Sequence, residues 1–113
     1  VVNIASIWSN ITKEGRASYS TSKAALVGLT RSLAVDFAGY HVLVNAVSPG
    51  FTATDLTSES LTIDEIVNIE SQIPCKRMAE PKEIAELVLF LASSKNTYIT
   101  GQNFVIDGGF SIV

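Results

Sequence analysis

Three short runs, Val1–Ser6 (VVNIAS), His41–Val47 (HVLVNAV) and Asn103–Ile106 (NFVI), read as strands apolar on both faces, with helical patterns between them. That alternation constrains the fold more than any other feature. A strand with no polar face must be covered on both sides, and strands that alternate with helices are joined by crossovers, not hairpins. The expected architecture is α/β: strand, helix, strand, helix, strand, in one parallel sheet with right-handed connections.

The first helical pattern spans about Ala17 to Ala38. Leu26, Leu29, Leu33 and Phe37 recur at three- and four-residue steps and make one apolar stripe, while Ala24, Gly28 and Ser32 make a row of small residues. Gly39 is expected to end this helix. Ser48-Pro49-Gly50 breaks the second strand. Pro81 opens another strong helix, with a stripe of Ile84, Leu87, Val88 and Leu91. Residues 51–78 are polar, with a weak helix near Ile63 to Ile69.

The 113 residues allow one domain at most. With 47% apolar and 17% charged residues the composition is that of a folded chain. A net charge of -3 and no run of Lys and Arg argue against nucleic acid as a partner. The single Cys75 permits no internal disulfide and fits a reducing, cytoplasmic setting. No metal-binding pattern and no membrane-spanning run is present, so neither a metal nor a membrane is expected. The chain opens on Val1-Val2-Asn3-Ile4 as if inside a buried strand, and is therefore expected to be a piece of something longer.

One short stretch carries chemistry. In ASYSTSK, residues 17–23, Tyr19 and Lys23 stand four apart, which puts them on one helical face. A free phenol ionises near pH 10, and a nearby ammonium stabilises the phenolate. Such a pair can exchange a proton with an alcohol or carbonyl oxygen near neutral pH. Alone the spacing is weak, because a surface lysine beside a half-buried tyrosine is its usual explanation. Ser6 at the end of the first strand and Pro49-Gly50 after the second strengthen it. All lie at carboxyl ends of parallel strands, where ligands bind in open sheets. Gly50 is read as permitting close approach of a ligand.

At this point the chain resembles the C-terminal half of a short-chain dehydrogenase/reductase. The resemblance runs through VVNIAS, YSTSKAAL, VNAVSPGFTATD, RMAEPKEIAELVLFLAS and YITGQNFVIDGG, in family order. It implies the C-terminal half of a doubly wound, Rossmann-type sheet. It also implies hydride transfer between NAD or NADP and a small alcohol or carbonyl substrate. Tyr19 would be the acid/base. Lys23 would promote its ionisation and hold the nicotinamide ribose, and Ser6 would orient the carbonyl. Pro49, Gly50, Thr52 and Thr54 would contact the cofactor. Leu43 and Ala79 depart from the family's usual Arg and Gly.

The family's first half carries the Gly-rich pyrophosphate turn, and no such turn occurs among these seven glycines. The isolated chain is therefore expected to bind the dinucleotide very weakly and not to turn over. The alternative is a non-catalytic assembly module. The resemblance and an exposed strand edge imply a homo-oligomer, dimer or tetramer. Residues 53–76 correspond to the family's variable substrate loop, read as a mobile lid with a surface connector as the alternative, and its acidic residues mildly disfavour anionic substrates. Trp8 either lines the substrate pocket or packs within its loop. Asp107 is expected to anchor the end of the last strand, and Cys75 to be an inert loop or half-buried thiol.

Overall fold

In the computed structural model, which describes residues 1–113, Asn45–Pro49 (β2) is the middle strand of three, between Val2–Ile4 (β1) and Asn103–Ile106 (β3). Both pairings are parallel, with Val2 opposite Asn45 and Ala46 opposite Asn103. Parallel neighbours need crossovers. One is helix α1 (Ala17–Phe37); the other contains α2 (Asp55–Ser60), α3 (Ile63–Gln72) and α4 (Pro81–Ala92). The expected architecture is therefore present, with β3 at its expected bounds.

The central strand carries the core. Asn45, Ala46, Val47 and Ser48 are fully buried. A buried amide is tolerable only when hydrogen-bonded. Asn45 Nδ2 donates to the Ile99 carbonyl at 2.7 Å, and its Oδ1 accepts from the Gln102 amide at 3.0 Å. Ser48 Oγ donates to Asn103 Oδ1 at 2.7 Å, tying β2 to β3.

Three expectations need correction. First, β2 begins at Asn45, not His41, and it continues through Pro49. His41 has φ 59°, a left-handed residue that closes the turn Ala38–Tyr40 and cannot enter a strand. This also relieves Gly39 of the expected role, since His41 makes the left-handed stop. Pro49 does not break the ladder, because it pairs at the strand's last position and the Gly50 amide donates to the Ile106 carbonyl at 2.9 Å.

Second, the face of α1 that meets the sheet is Val27, Thr30 and Ala34, not the leucine stripe. Asn3 Nδ2 donates to Thr30 Oγ1 at 3.0 Å, and small residues there let helix and sheet approach closely. Leu26 and Leu33 are half-buried, while Leu29 is 50% and Phe37 43% exposed. Third, α2 is an additional helix, started by Thr54 as its N-cap. By contrast, α4 starts at Pro81 and turns Leu91 inward, with Ile84, Leu87 and Val88 half-buried.

Candidate active site

The three strands point their carboxyl ends at one rim, and the segments that follow them meet there. After β1 the chain forms a 3-10 turn, Ile7–Ser9, with Ser6 as its cap. Ser6 is buried, and its Oγ accepts the Trp8 amide proton at 3.3 Å. That leaves the hydroxyl proton available to donate. A chain of polar contacts seats this turn. Ser9 Oγ donates to the Ser6 carbonyl at 2.7 Å and lies 3.4 Å from Ser48 Oγ. Asn103 Nδ2 reaches Asn10 Oδ1 at 3.3 Å.

Above the rim stands an aromatic cluster with one ring from each post-strand segment. Trp8 meets Phe51 and Phe110 edge-on at 6.4 Å in both cases, and Phe51 meets Phe110 at 5.1 Å. Edge-to-face geometry at these separations is the favoured one. Trp8 is thus a packed loop aromatic, and it also lines a hollow of about 630 Å³ with Ile11, Thr12, Lys13, Gln72 and Phe110. Phe51 and Phe110 went unread in the sequence. The available signal was an aromatic residue shortly after every strand.

Helix α1 begins beside this cluster and presents Tyr19 and Lys23 in its first two turns. Tyr19 is 41% exposed. Lys23 Nζ lies 5.7 Å from the centre of the Tyr19 ring and donates to the Ile4 carbonyl at 3.0 Å. That bond fixes the ammonium at the end of β1. An ammonium has three donors, so two remain for a ligand. Arg16 and Lys13 extend the array. The Arg16 guanidinium sits 5.9 Å from the Tyr19 ring and 5.6 Å from the Trp8 ring, and Lys13 Nζ sits 5.4 Å from the Trp8 ring. Cations and rings alternate: Lys13, Trp8, Arg16, Tyr19, Lys23. Neither Lys13 nor Arg16 is marked by the sequence, because charges in a polar loop carry no signal of their own.

The segment after β2 holds Pro49, Gly50, Thr52 and Thr54, and much of its chemistry is internal. A Cβ on Gly50 would lie 2.7 Å from the Asp107 Cβ, so the close approach this glycine permits is to the chain's own next loop. Thr52 Oγ1 donates to the Gly50 carbonyl at 3.2 Å, and Thr52 bridges to Ala79. Thr54 Oγ1 accepts from the Thr57 amide at 3.2 Å. Both Pro49 and Gly50 remain partly accessible on the rim.

Asp107 closes the rim as expected. Its Oδ1 accepts from the Gly109 amide at 2.9 Å and its Oδ2 from the Ser111 amide at 2.8 Å. Burial alone raises the pKa of this carboxyl, but the hydrogen bonds from Ser111 and Gly109 outweigh burial and hold the pKa below the ordinary carboxylate value. Cys75 is an exposed free thiol. No cluster of three or more His, Cys, Asp or Glu side chains is disposed to hold a metal, and no helix is long and apolar enough to cross a membrane.

Known proteins share this chain's sequence pattern and fold. A family model described as enoyl-(acyl carrier protein) reductase matches residues 1–111. An acetoacetyl-CoA reductase from Acinetobacter sp. (strain RA3849) is 42% identical over 109 residues, covering 96% of this chain and 44% of its own. A 3-oxoacyl-[acyl-carrier-protein] reductase, FabG, of Thermotoga maritima is 40% identical over 112 residues, covering 99% and 45%. Among solved structures, 4-hydroxyisoleucine dehydrogenase complexed with NADH superposes with a TM-score of 0.92 at 37% identity, covering 99% of this chain and 46% of that one. The chain spans about half the length of the curated relatives it matches.

Proposed function

Because the chain belongs to the short-chain dehydrogenase/reductase family, we propose that it is the catalytic half of an oxidoreductase. The reaction is hydride transfer between NAD or NADP and a small alcohol or carbonyl compound. One observation carries this reading: Lys23 is pinned to the Ile4 carbonyl beside the exposed Tyr19, on the rim where Ser6 lies.

The donor set fits a nicotinamide nucleotide. Lys23 keeps two N–H donors for ribose hydroxyls. Pro49, Gly50, Thr52 and Thr54 line the approach after β2. When bound, the nucleotide supplies or accepts the hydride. The chain's own residues handle the proton and the oxygen. Tyr19 gives its proton to the carbonyl oxygen in reduction, or takes it from the alcohol in oxidation. Lys23 stabilises the phenolate left behind. Ser6 donates its hydroxyl proton to the same oxygen and holds it in place as charge develops. The free Cys75 is in keeping with a cytoplasmic enzyme.

The 113 residues hold no glycine-rich pyrophosphate turn, so the chain alone should not turn over at a useful rate. The test is a chimera in which residues 1–113 replace the matching half of the Thermotoga maritima reductase. We expect nicotinamide-dependent reduction of a 3-oxoacyl thioester, and Tyr19→Phe should lower kcat about 10²- to 10⁴-fold. A folded chimera whose Tyr19→Phe variant keeps full activity refutes the assignment.

The second reading, a non-catalytic assembly module, draws on α1. Ala24, Gly28 and Ser32 are exposed along one side of α1, and an added Cβ at Gly28 would meet nothing within 4 Å. This open face is what a second copy would cover. It is compatible with catalysis, and we propose a homo-oligomer in either case.

A further inference from the structure

The alternating array at the mouth of the site has a property that the proton chemistry does not use. Lys13 and Arg16 both lie within 6 Å of the centre of the Trp8 ring, at 5.4 and 5.6 Å. Neither takes part in the chain's salt bridges, Arg77–Glu83 and Lys82–Glu86, which lie at and around α4. Two cations are therefore gathered at one aromatic ring, neither of them in an ion pair, in a chain whose net charge is -3; the exposed Glu14 stands between them in sequence without pairing to either. Arg16 also reaches the Tyr19 ring at 5.9 Å, so the array runs up to the proposed proton donor. Lys13 lines the hollow of about 630 Å³ whose apolar wall is Trp8, Ile11 and Phe110. That size is typical of a small-molecule site.

We infer that Lys13 and Arg16 recognise an anionic oxygen group, a carboxylate or a phosphate, on the substrate, and so select oxo or hydroxy compounds that carry one. This rests on reading Tyr19 as the proton donor. Arg presents a planar fork of donors suited to carboxylate and phosphate, and Lys adds a mobile point charge. The rings hold both cations near the position they need before the anion arrives, which lowers the ordering cost of binding. The apolar wall takes the rest of the molecule.

This reverses the expectation that an acidic lid disfavours anions. Two of the lid carboxylates are engaged inside the chain: Glu65 Oε2 accepts from the Thr62 amide at 2.7 Å, and Glu70 Oε1 from the Met78 amide at 3.4 Å.

Trp8 is the only tryptophan in the chain, so its fluorescence reports on this place alone. The test titrates the 113-residue chain with sodium acetate and, separately, with inorganic phosphate. Ionic strength is held constant with chloride. A saturable change in Trp8 emission is expected with at least one of them, and which one responds distinguishes carboxylate from phosphate. Arg16→Gln and Lys13→Gln should each weaken it about tenfold or more, Arg16→Lys less than Arg16→Gln, and Lys82→Gln not at all. Circular dichroism checks the fold, and the exposed Lys13 provides a second variant should Arg16→Gln not fold. No saturable change with either anion, or equal changes in wild type and folded Lys13→Gln, overturns the inference. The readout needs no turnover. A chimera unaffected by Tyr19→Phe would sink the oxidoreductase reading and leave the anion site standing; the reverse result would do the opposite.

Discussion

At Gly50 two loops of the chain approach each other closely. The Gly50 amide donates to the Ile106 carbonyl, and the space a side chain would occupy holds the Cα and Cβ of Asp107, at 2.8 and 2.7 Å. Gly50→Ala should therefore cost about 1–3 kcal/mol, as overpacking does, read as a lower urea midpoint; an unchanged midpoint would show that the loops part easily. Asp107 across from it supplies a pH signature. Its carboxyl is held below the ordinary value of 3.8, so its stabilising contribution is fully present above 3.8 and fades as the pH falls below it. Asp107→Asn should cost about 1 kcal/mol at neutral pH, discounted for solvent exposure. The gap from wild type should narrow in acid; a constant gap would mean the charge is irrelevant. At this scale the sequence was partly legible. Asp107 before two glycines was readable as an anchor, because the acceptor and its amide donors are neighbours in the chain. Gly50 was readable as a close approach but not as an approach to Asp107, since 57 residues separate the two. Arg16 and Lys13 acquire meaning only through Trp8, Tyr19 and the packing that places them.

At the scale of elements, local chemistry fixes where helices begin. In α3 the Thr62 side chain accepts from the Glu65 amide at 3.2 Å while Glu65 returns to the Thr62 amide, a capping box. Thr62→Ala should lower stability by about 1 kcal/mol in thermal melts. Before α4 a two-pronged pair joins Arg77 to Glu83 at 2.7 Å on each prong. The hydrogen bond from Arg77, aided by the Glu80 amide, lowers the Glu83 carboxyl from 4.5 to about 2. What it contributes is present above 4.5 and lost as the pH falls from there to about 2. Glu83→Gln should flatten the fall of melting temperature across that window; an unchanged slope would mean the exposed pair is inert. Periodicity revealed that α1 exists but not which side it buries. Its leucine stripe and the Val27, Thr30, Ala34 face are offset by one residue, and both are apolar enough to be read as core. The larger set lies outward because close packing on a sheet selects small residues. The start of β2 was misread for another reason: the left-handed turn at His41 is set by backbone geometry that hydrophobicity does not encode.

At the scale of the whole molecule, sheet and helices leave surfaces open. β1 and β3 are both edge strands. Leu29 and Phe37 on α1, and Leu89 and Phe90 on α4, are exposed. Apolar surface and unpaired edges invite association, so light scattering of the 113-residue chain at micromolar concentration should give at least a dimer; a monomer would count against it. The order of elements and the parallel sheet were legible from alternation alone, since doubly apolar strands leave few alternatives. The expectation that the rim serves a nicotinamide came only through the family resemblance, because the rim is built of side chains drawn from three loops. The most direct measurement uses saturation-transfer NMR of this chain with nicotinamide riboside and, in parallel, adenosine, neither of which carries a phosphate that Lys13 and Arg16 could hold. The account predicts transfer to the nicotinamide and its ribose, loss of that transfer in Lys23→Met, and none to adenosine. Equal transfer to both nucleosides, or transfer that survives Lys23→Met, would contradict the claim that this rim is built to hold the nicotinamide beside Tyr19.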